Sequence, residues 1–272
     1  MKTIIFTNSN PNQIALVNKI YNNIDIEAIV VSKNIIKKKK INKVSIYKKV
    51  LEALIGLPFR TSWNKIQKKY KNNFSTFPKI QLYEVNNIND ELTETIIKEI
   101  NPSLIIVSGT NLIKNNIINA TNNKCLIMNL HTGISPYVKG GPNCTNWCLA
   151  NSEFHLIGNT IMELDIGIDS GKIITTEQTI LDGDESLFEL HWKVMEHAHD
   201  LYIRAILYYM QNDNIKKIKQ NDITKGNIYY TKNWTIKQKI KAFINYILFY
   251  KKSFKKSVLS TKIKTFSLKK GE

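Results

Sequence analysis

Five short apolar runs, separated by stretches with helical spacing, constrain this chain more than any other feature. Residues 3–7 (TIIFT), 26–31 (IEAIVV), 104–107 (LIIV) and 126–128 (LIM) have strand length and are mostly apolar, and 81–85 (QLYEV) reads as a further strand with Leu82, Tyr83 and Val85 apolar. Runs that are apolar on both faces belong to strands covered on both sides, as in parallel sheets. After the first run, Pro11 suits the first turn of a helix, and Ile14, Val17, Ile20 and Tyr21 follow at helical spacing. A strand–helix–strand opening favours a parallel sheet with right-handed crossovers. The expected fold is α/β: an open, mostly parallel, Rossmann-like sheet flanked by helices, with a small C-terminal appendage.

Further elements fill in around these runs. Asp90 is placed to cap a helix over 91–100. A helix over 141–151 carries Trp147, and strands are expected at 157–164 and 173–180. Asp184 is placed to cap a helix over 185–211, whose Leu187, Leu190, Val194, Ala198, Leu201, Ala205 and Tyr208 form one apolar stripe. His191, His197 and His199 on this helix form no i, i+4 pair, so no metal site is expected. Leu51, Leu54 and Ile55 predict a short helix ending near Gly56 and Pro58, inside an insertion over about 33–79. In the tail, Ile236, Ile240, Phe243, Ile244 and Ile247 predict an amphipathic helix flanked by Lys237, Lys239 and Lys241. Such a helix docks on the main body or lies on a membrane. The division that follows is a catalytic domain over 1–211 and a small basic region over 212–272.

Charge is uneven. Residues 33–79 carry 14 Lys+Arg against Glu52 alone, and residues 211–272 carry 16 Lys against Asp213, Asp222 and Glu272. The remaining chain is acidic although the net charge is +17. The basic stretches either attract phosphates or an anionic membrane, or are solvated faces of a lysine-rich composition. The sequence has no apolar run of about 18 residues and no secretory leader, so no membrane insertion is expected. Cys125, Cys144 and Cys148 make an odd count without a CxxC spacing, which argues for packing thiols in a reducing cytoplasm.

The chemistry collects near the fifth run. Asn129 and His131 end it and share a face, because side chains alternate along a strand. Ser135, Pro136, Tyr137 and a glycine-rich turn follow, and then the loop Asp165 to Gly171 with Asp169 and Ser170. Loops at strand ends are where open α/β sheets carry their sites. The stretch from Gly167 to Lys172 has one residue too few for a phosphate loop, and neither GxSxG nor GxGxxG occurs. The ordered set Asn129-x-His131, Ser135-Pro136-Tyr137 and Asp169-Ser170-Gly171 resembles the folate-dependent formyltransferase family, densely over residues 103–177. In layout it is nearest the sugar N-formyltransferases.

The resemblance implies N10-formyltetrahydrofolate as co-substrate and Asn129, His131 and Asp169 as catalytic residues. Formyl transfer develops an oxyanion and moves a proton from the attacking nitrogen to the leaving one. The amide of Asn129 can donate to that oxygen, His131 can donate to it or shuttle the proton, and Asp169 can orient His131. The family's pterin loop corresponds to residues 108–113, which implies cofactor contacts from Gly109, Asn111, Leu112 and Ile113, with Gly167 across from them. Thr132, Lys139, Gly140 and Gly141 are the candidate substrate contacts. Asn8, Ser9 and Asn10 replace the glycine-rich phosphate loop of glycinamide ribonucleotide enzymes. The tail is short and helical where methionyl-tRNA enzymes carry a β-barrel, and the turn at Lys139 to Asn143 departs from their arginine-containing loop. By elimination the expected acceptor is a nucleotide-linked amino sugar, such as a 4-amino-deoxyhexose for surface lipopolysaccharide. No nucleic-acid partner is expected, and a homodimer is compatible. The alternatives are methionyl-tRNA formylation and a non-catalytic RNA- or membrane-binding module.

Overall fold

The computed structural model describes residues 1–33, 46–141, 143–212, 215–254 and 261–268. The main sheet has seven strands in the order β3 (Gln81–Val85), β2 (Ala28–Ser32), β1 (Thr3–Thr7), β4 (Leu104–Val107), β5 (Leu126–His131), β7 (Gly158–Glu163) and β8 (Ile173–Gln178). The five strands from β3 to β5 are mutually parallel, and β7 and β8 extend the sheet antiparallel to their neighbours. All five apolar runs are therefore strands of one sheet, and the fold is the expected mostly parallel α/β arrangement.

Alternation along each strand splits the core in two. Ile4, Phe6, Ile105, Val107 and Ile127 pack with Ile96, Ile97 and Ile117 of α4 (Glu91–Ile100) and α5 (Asn115–Ala120). Ile5, Ile29, Ile106, Leu126 and Met128 pack with Leu16, Val17, Ile20, Leu201 and Ala205 of α1 (Pro11–Tyr21) and α7 (Leu187–Gln211) on the other face. Burying an apolar side chain on either face contributes roughly 1.5–3 kcal/mol, so both helix layers are held on by the sheet.

Two caps differ from expectation. The cap of α7 is Ser186, not Asp184. Its Oγ accepts from the Glu189 N–H at 3.2 Å while the Glu189 carboxylate accepts from the Ser186 N–H at 2.8 Å. This reciprocal pair satisfies two otherwise orphaned amides, which a lone carboxylate at 184 cannot do. Asp90 does stand at the start of α4, but its side chain accepts from the Asn87 N–H at 3.0 Å.

The basic insertion contains α2 (Ile46–Ile55) and a second, longer helix, α3 (Leu57–Asn73), with Pro58 in its first turn. Its periodicity is faint because Ser62, Ile66 and Tyr70 alone are buried, four residues apart in a lysine-rich stretch. Ile66 and Tyr70 pack with Ala15 and Met195, so α3 lies against α1 and α7. The four-lysine run at 37–40 lies outside the described residues.

The tail folds back on the body. β9 (Asn227–Tyr229) pairs with β6 (Val138–Gly140), and α8 (Ile236–Asn245) packs on α6 (Cys144–Asn151). Asn245 Nδ2 donates to the carbonyls of Leu149 at 3.0 Å and Ala150 at 2.9 Å. Trp147 stacks on Tyr229 and meets Trp234 edge-on, with ring centroids 4.5 and 4.8 Å apart. Among the described residues no helix is long and apolar enough to cross a membrane.

Tyr202 of α7 links the strands that carry the site. Its buried hydroxyl accepts from the Val107 N–H at 3.0 Å and donates toward the carbonyls of Val107 and Met128. Tyr202→Phe strands these groups at the ends of β4 and β5, and unfolding in urea should show a loss of about 1–3 kcal/mol with an unchanged denaturant slope.

Candidate active site

The sheet delivers Asn129 and His131 at the carboxyl end of β5, where Val107 of β4 lies beside Asn129. His131 is buried. Its Nδ1 lies 3.2 Å from Asp169 Oδ2 and its Nε2 lies 2.9 Å from the Val138 carbonyl oxygen. Both neighbours are acceptors, so both ring nitrogens carry protons and the ring is an imidazolium. Burial pulls its pKa down, but the Asp169 carboxylate, the Cys144 sulfur and the Val138 carbonyl outweigh burial and raise it to about 10. The balance of these neighbours favours the protonated, positively charged ring at neutral pH.

Asp169 owes its position to an unusual backbone. Its φ is 48°, in the left-handed region, and its Oδ2 also accepts from the Gly140 N–H at 2.8 Å. Gln220, from the tail, donates to the carbonyls of Asp169 at 2.7 Å and Gly171 at 2.8 Å. Gly171 is needed here because a Cβ would sit 1.7 Å from the Glu163 carbonyl oxygen at the end of β7. The Asn129 side-chain amide has no hydrogen-bond partner among the described residues and lines the neighbouring cavity. Its donors are open to a bound group.

That cavity, of about 380 Å³, brings most of the expected residues together. Asn129, His131 and Asp169 form one part of its wall. Gly109, Asn111, Leu112 and Ile113 form another, with Gly167 on the facing loop. Thr132 and Gly140 also line it, whereas Lys139 and Gly141 line neither this cavity nor the next. The pairing of β6 with β9 accounts for this: Lys139 is buried opposite Ile228, and Gly141 donates to the Tyr229 carbonyl at 2.9 Å.

A second cavity, of about 560 Å³, opens on the other side of Leu130 and Thr132, which line both. Asn8, Asn10, Asn143 and Asn146 line it, with Trp63 and Phe59 of α3. Asn8 donates from its side chain to the Gly109 carbonyl, tying the two cavities' walls together. His191 of α7 also faces this space; its Nε2 lies 2.8 Å from Asn146 Oδ1, and burial lowers its pKa to about 4, so it is neutral.

Cys144 and Gln220 went unrecognised in the sequence as parts of the site. Cys144 packs with Cys148 in a buried apolar cluster, and its sulfur also lies 3.6 Å from His131 Nε2. Gln220 lies in the tail with no local signal. Among the described residues no group of three or more His, Cys, Asp or Glu is placed to hold a metal ion.

Two cavities meeting at the end of β5 lie at the carboxyl edge of the sheet, where open α/β proteins bind their ligands. The chain belongs to the formyl transferase family, whose model matches residues 1–206. This is the folate-dependent family that the ordered motifs resemble. It is 31% identical over 144 residues to the methionyl-tRNA formyltransferase of Finegoldia magna, covering 53% of this chain and 45% of that one. The chain spans about half the length of the curated relatives it matches. In structure it is similar to a 4-N formyltransferase from Francisella tularensis, with a TM-score of 0.56, 17% identity and coverage of 90% of this chain and 87% of that one. It is also similar to an N-formyltransferase from Helicobacter canadensis in complex with folinic acid and dTDP-3-aminofucose, with a TM-score of 0.54, 16% identity and coverage of 90% and 81%. At these identities the structural likeness speaks to the fold.

The His131 charge is testable. Because its folded pKa lies above the unfolded value near 6.5, the pair with Asp169 stabilises fully below about pH 6.5 and loses its contribution as the pH climbs toward 10. Asp169→Asn should remove that alkaline loss and leave burial to neutralise the ring. Nitrogen-15 NMR of the imidazole should show His131 protonated at pH 7.5 in the parent and neutral in the variant. A neutral ring in the parent contradicts the assignment.

Proposed function

We propose that this chain transfers the formyl group of N10-formyltetrahydrofolate to the amine of a nucleotide-linked amino sugar, of the 4-amino-deoxyhexose kind used in surface lipopolysaccharide. The folate reading rests on the first cavity. Val107, Leu112, Ile113 and Met162 offer apolar surface for a flat ring, and the loops 109–113 and 165–171 offer backbone donors and acceptors for its edges. When bound, the folate supplies the formyl group. The chain's own part is to hold the two reactants and manage charge. The open Asn129 amide is available to donate to the formyl oxygen as it becomes negative, and the His131 imidazolium adds positive charge beside it. A residue locked between two acceptors suits electrostatic stabilisation better than proton shuttling. The proton released by the attacking amine passes through water to Asp169 and is returned to the leaving nitrogen as the carbon–nitrogen bond to it breaks.

One observation carries the sugar reading. None of the residues lining the second cavity is Asp, Glu, Lys or Arg among the described residues, and its walls carry six side-chain amides and the rings of Phe59 and Trp63, beside Ser108, Thr132, Leu130, His191 and Met195. Asparagine amides both donate and accept, which suits hydroxyl groups, and aromatic faces suit the C–H face of a sugar ring. At Phe59 this cavity continues into a groove lined by Arg60, Lys239 and Trp234. Two cations and an indole beyond an uncharged pocket suit the phosphates and base of a nucleotide. The order matches a nucleotide-linked sugar with its amine toward Asn129.

The curated relatives favour a second reading, methionyl-tRNA as acceptor, to which the net charge of +17 also speaks. The chain is to be incubated with N10-formyltetrahydrofolate and a panel of aminosugar nucleotides, glycinamide ribonucleotide and charged tRNA. The expected product is a formylated sugar nucleotide, with turnover cut at least about 10²-fold in Asn129→Ala and His131→Ala. Affinity for the sugar should depend shallowly on salt, whereas each tRNA phosphate contact would steepen the log–log slope by about 0.9. Efficient, steeply salt-dependent formylation of charged tRNA would replace the sugar reading.

A further inference from the structure

We propose that the face formed by α2, α8 and the π-helical turn Tyr246–Tyr250 docks this chain on an anionic lipid surface. The inner side of α8 and this turn is already satisfied by the body. Ala242 is fully buried, Asn245 donates to the carbonyls that end α6, and the Tyr250 hydroxyl donates to Glu185 Oε2 at 2.7 Å. Yet the opposite side is also apolar. Ile240, Ile244, Ile247 and Leu248 recur at helical spacing and are 39–55% exposed, joined by Phe249. Beside them α2 packs on α8 and exposes Val50, Leu51 and Leu54. A helix that is apolar on both sides normally has a partner on each, and grouped exposed apolar side chains mark an interaction surface.

Charge selects the partner. From Ile223 to Leu268 the sequence holds no Asp or Glu, and residues 46–80 hold only Glu52. Lys237, Lys241, Lys251 and Lys252 are exposed around the apolar stripe. A second copy of this face would set lysines against lysines, with Glu52 the one acid in either stretch. An anionic bilayer complements both properties at once, accepting apolar side chains into the headgroup region while its charge attracts the lysines. Each lysine near such a surface strengthens binding about fivefold, and the attraction fades with salt. The proposal stands apart from the choice of acceptor, since it uses none of the residues that line the cavities.

The test is co-sedimentation of the full chain with vesicles of phosphatidylcholine alone and of phosphatidylcholine with about one third phosphatidylglycerol. At 0.1 M salt the chain should bind the anionic vesicles at least about tenfold more tightly than the neutral ones, and 0.5 M salt should abolish the difference. Two variants divide the surface: Ile244→Glu with Leu248→Glu, and Lys237, Lys241, Lys251 and Lys252 together to Gln. Each should weaken binding at least about tenfold while melting temperature and circular dichroism stay those of the parent. No binding to anionic vesicles, or binding that both folded variants retain, overturns the proposal. So does a dimer in light scattering that the Ile244→Glu, Leu248→Glu variant breaks, since the face would then belong to a second copy.

Discussion

The Asp169 carboxylate is the point on which the site depends. One oxygen accepts from two donors, the His131 ring and the Gly140 backbone, and so joins the end of β5, the turn at β6 and the loop after β7. Burying a carboxylate is tolerable only when such partners surround it, and removing one partner leaves an uncompensated charge. The same pairing keeps His131 charged in a place where burial alone would neutralise it. The left-handed backbone at Asp169 is a local cost, offset by Gln220 holding the carbonyls on both sides of Ser170. The catalytic constellation is therefore assembled by the tail as well as by the sheet.

That arrangement explains how one strand end serves two cavities. Leu130 and Thr132 separate spaces of different character. The first cavity carries charged groups, among them His131, Glu163, Asp165 and Asp169, whereas the second carries amides and rings and no Asp, Glu, Lys or Arg among the described residues. α3 supplies the rings, and it can do so because Ile66 and Tyr70 anchor it on α1 and α7. A helix that reads in sequence as a solvated basic insertion thus shapes the second cavity. The cationic groove beyond Phe59 draws on α3 and α8 together, which links the two basic stretches of the chain to one region of the molecule.

The sequence determined the strands of the parallel sheet, most of the helices around it and the residues of the candidate site. Five apolar runs became five parallel strands, because burial on both faces leaves a strong local signature at 3–7, 104–107 and 126–128. Asn129, His131 and Asp169 were legible because they fall in fixed order at strand ends, and the loops 109–113 and 165–171 because they follow strands. What only the tertiary structure decided are contacts between segments remote in sequence. Gln220 reaches Asp169 across 51 residues, Cys144 meets His131 through the packing of α6, and Trp63 lines the second cavity from α3. The charge state of His131 belongs to the same class. It is set by the geometry of Asp169 and Val138 around a buried ring, and no spacing in the sequence encodes a distance between side chains on separate elements.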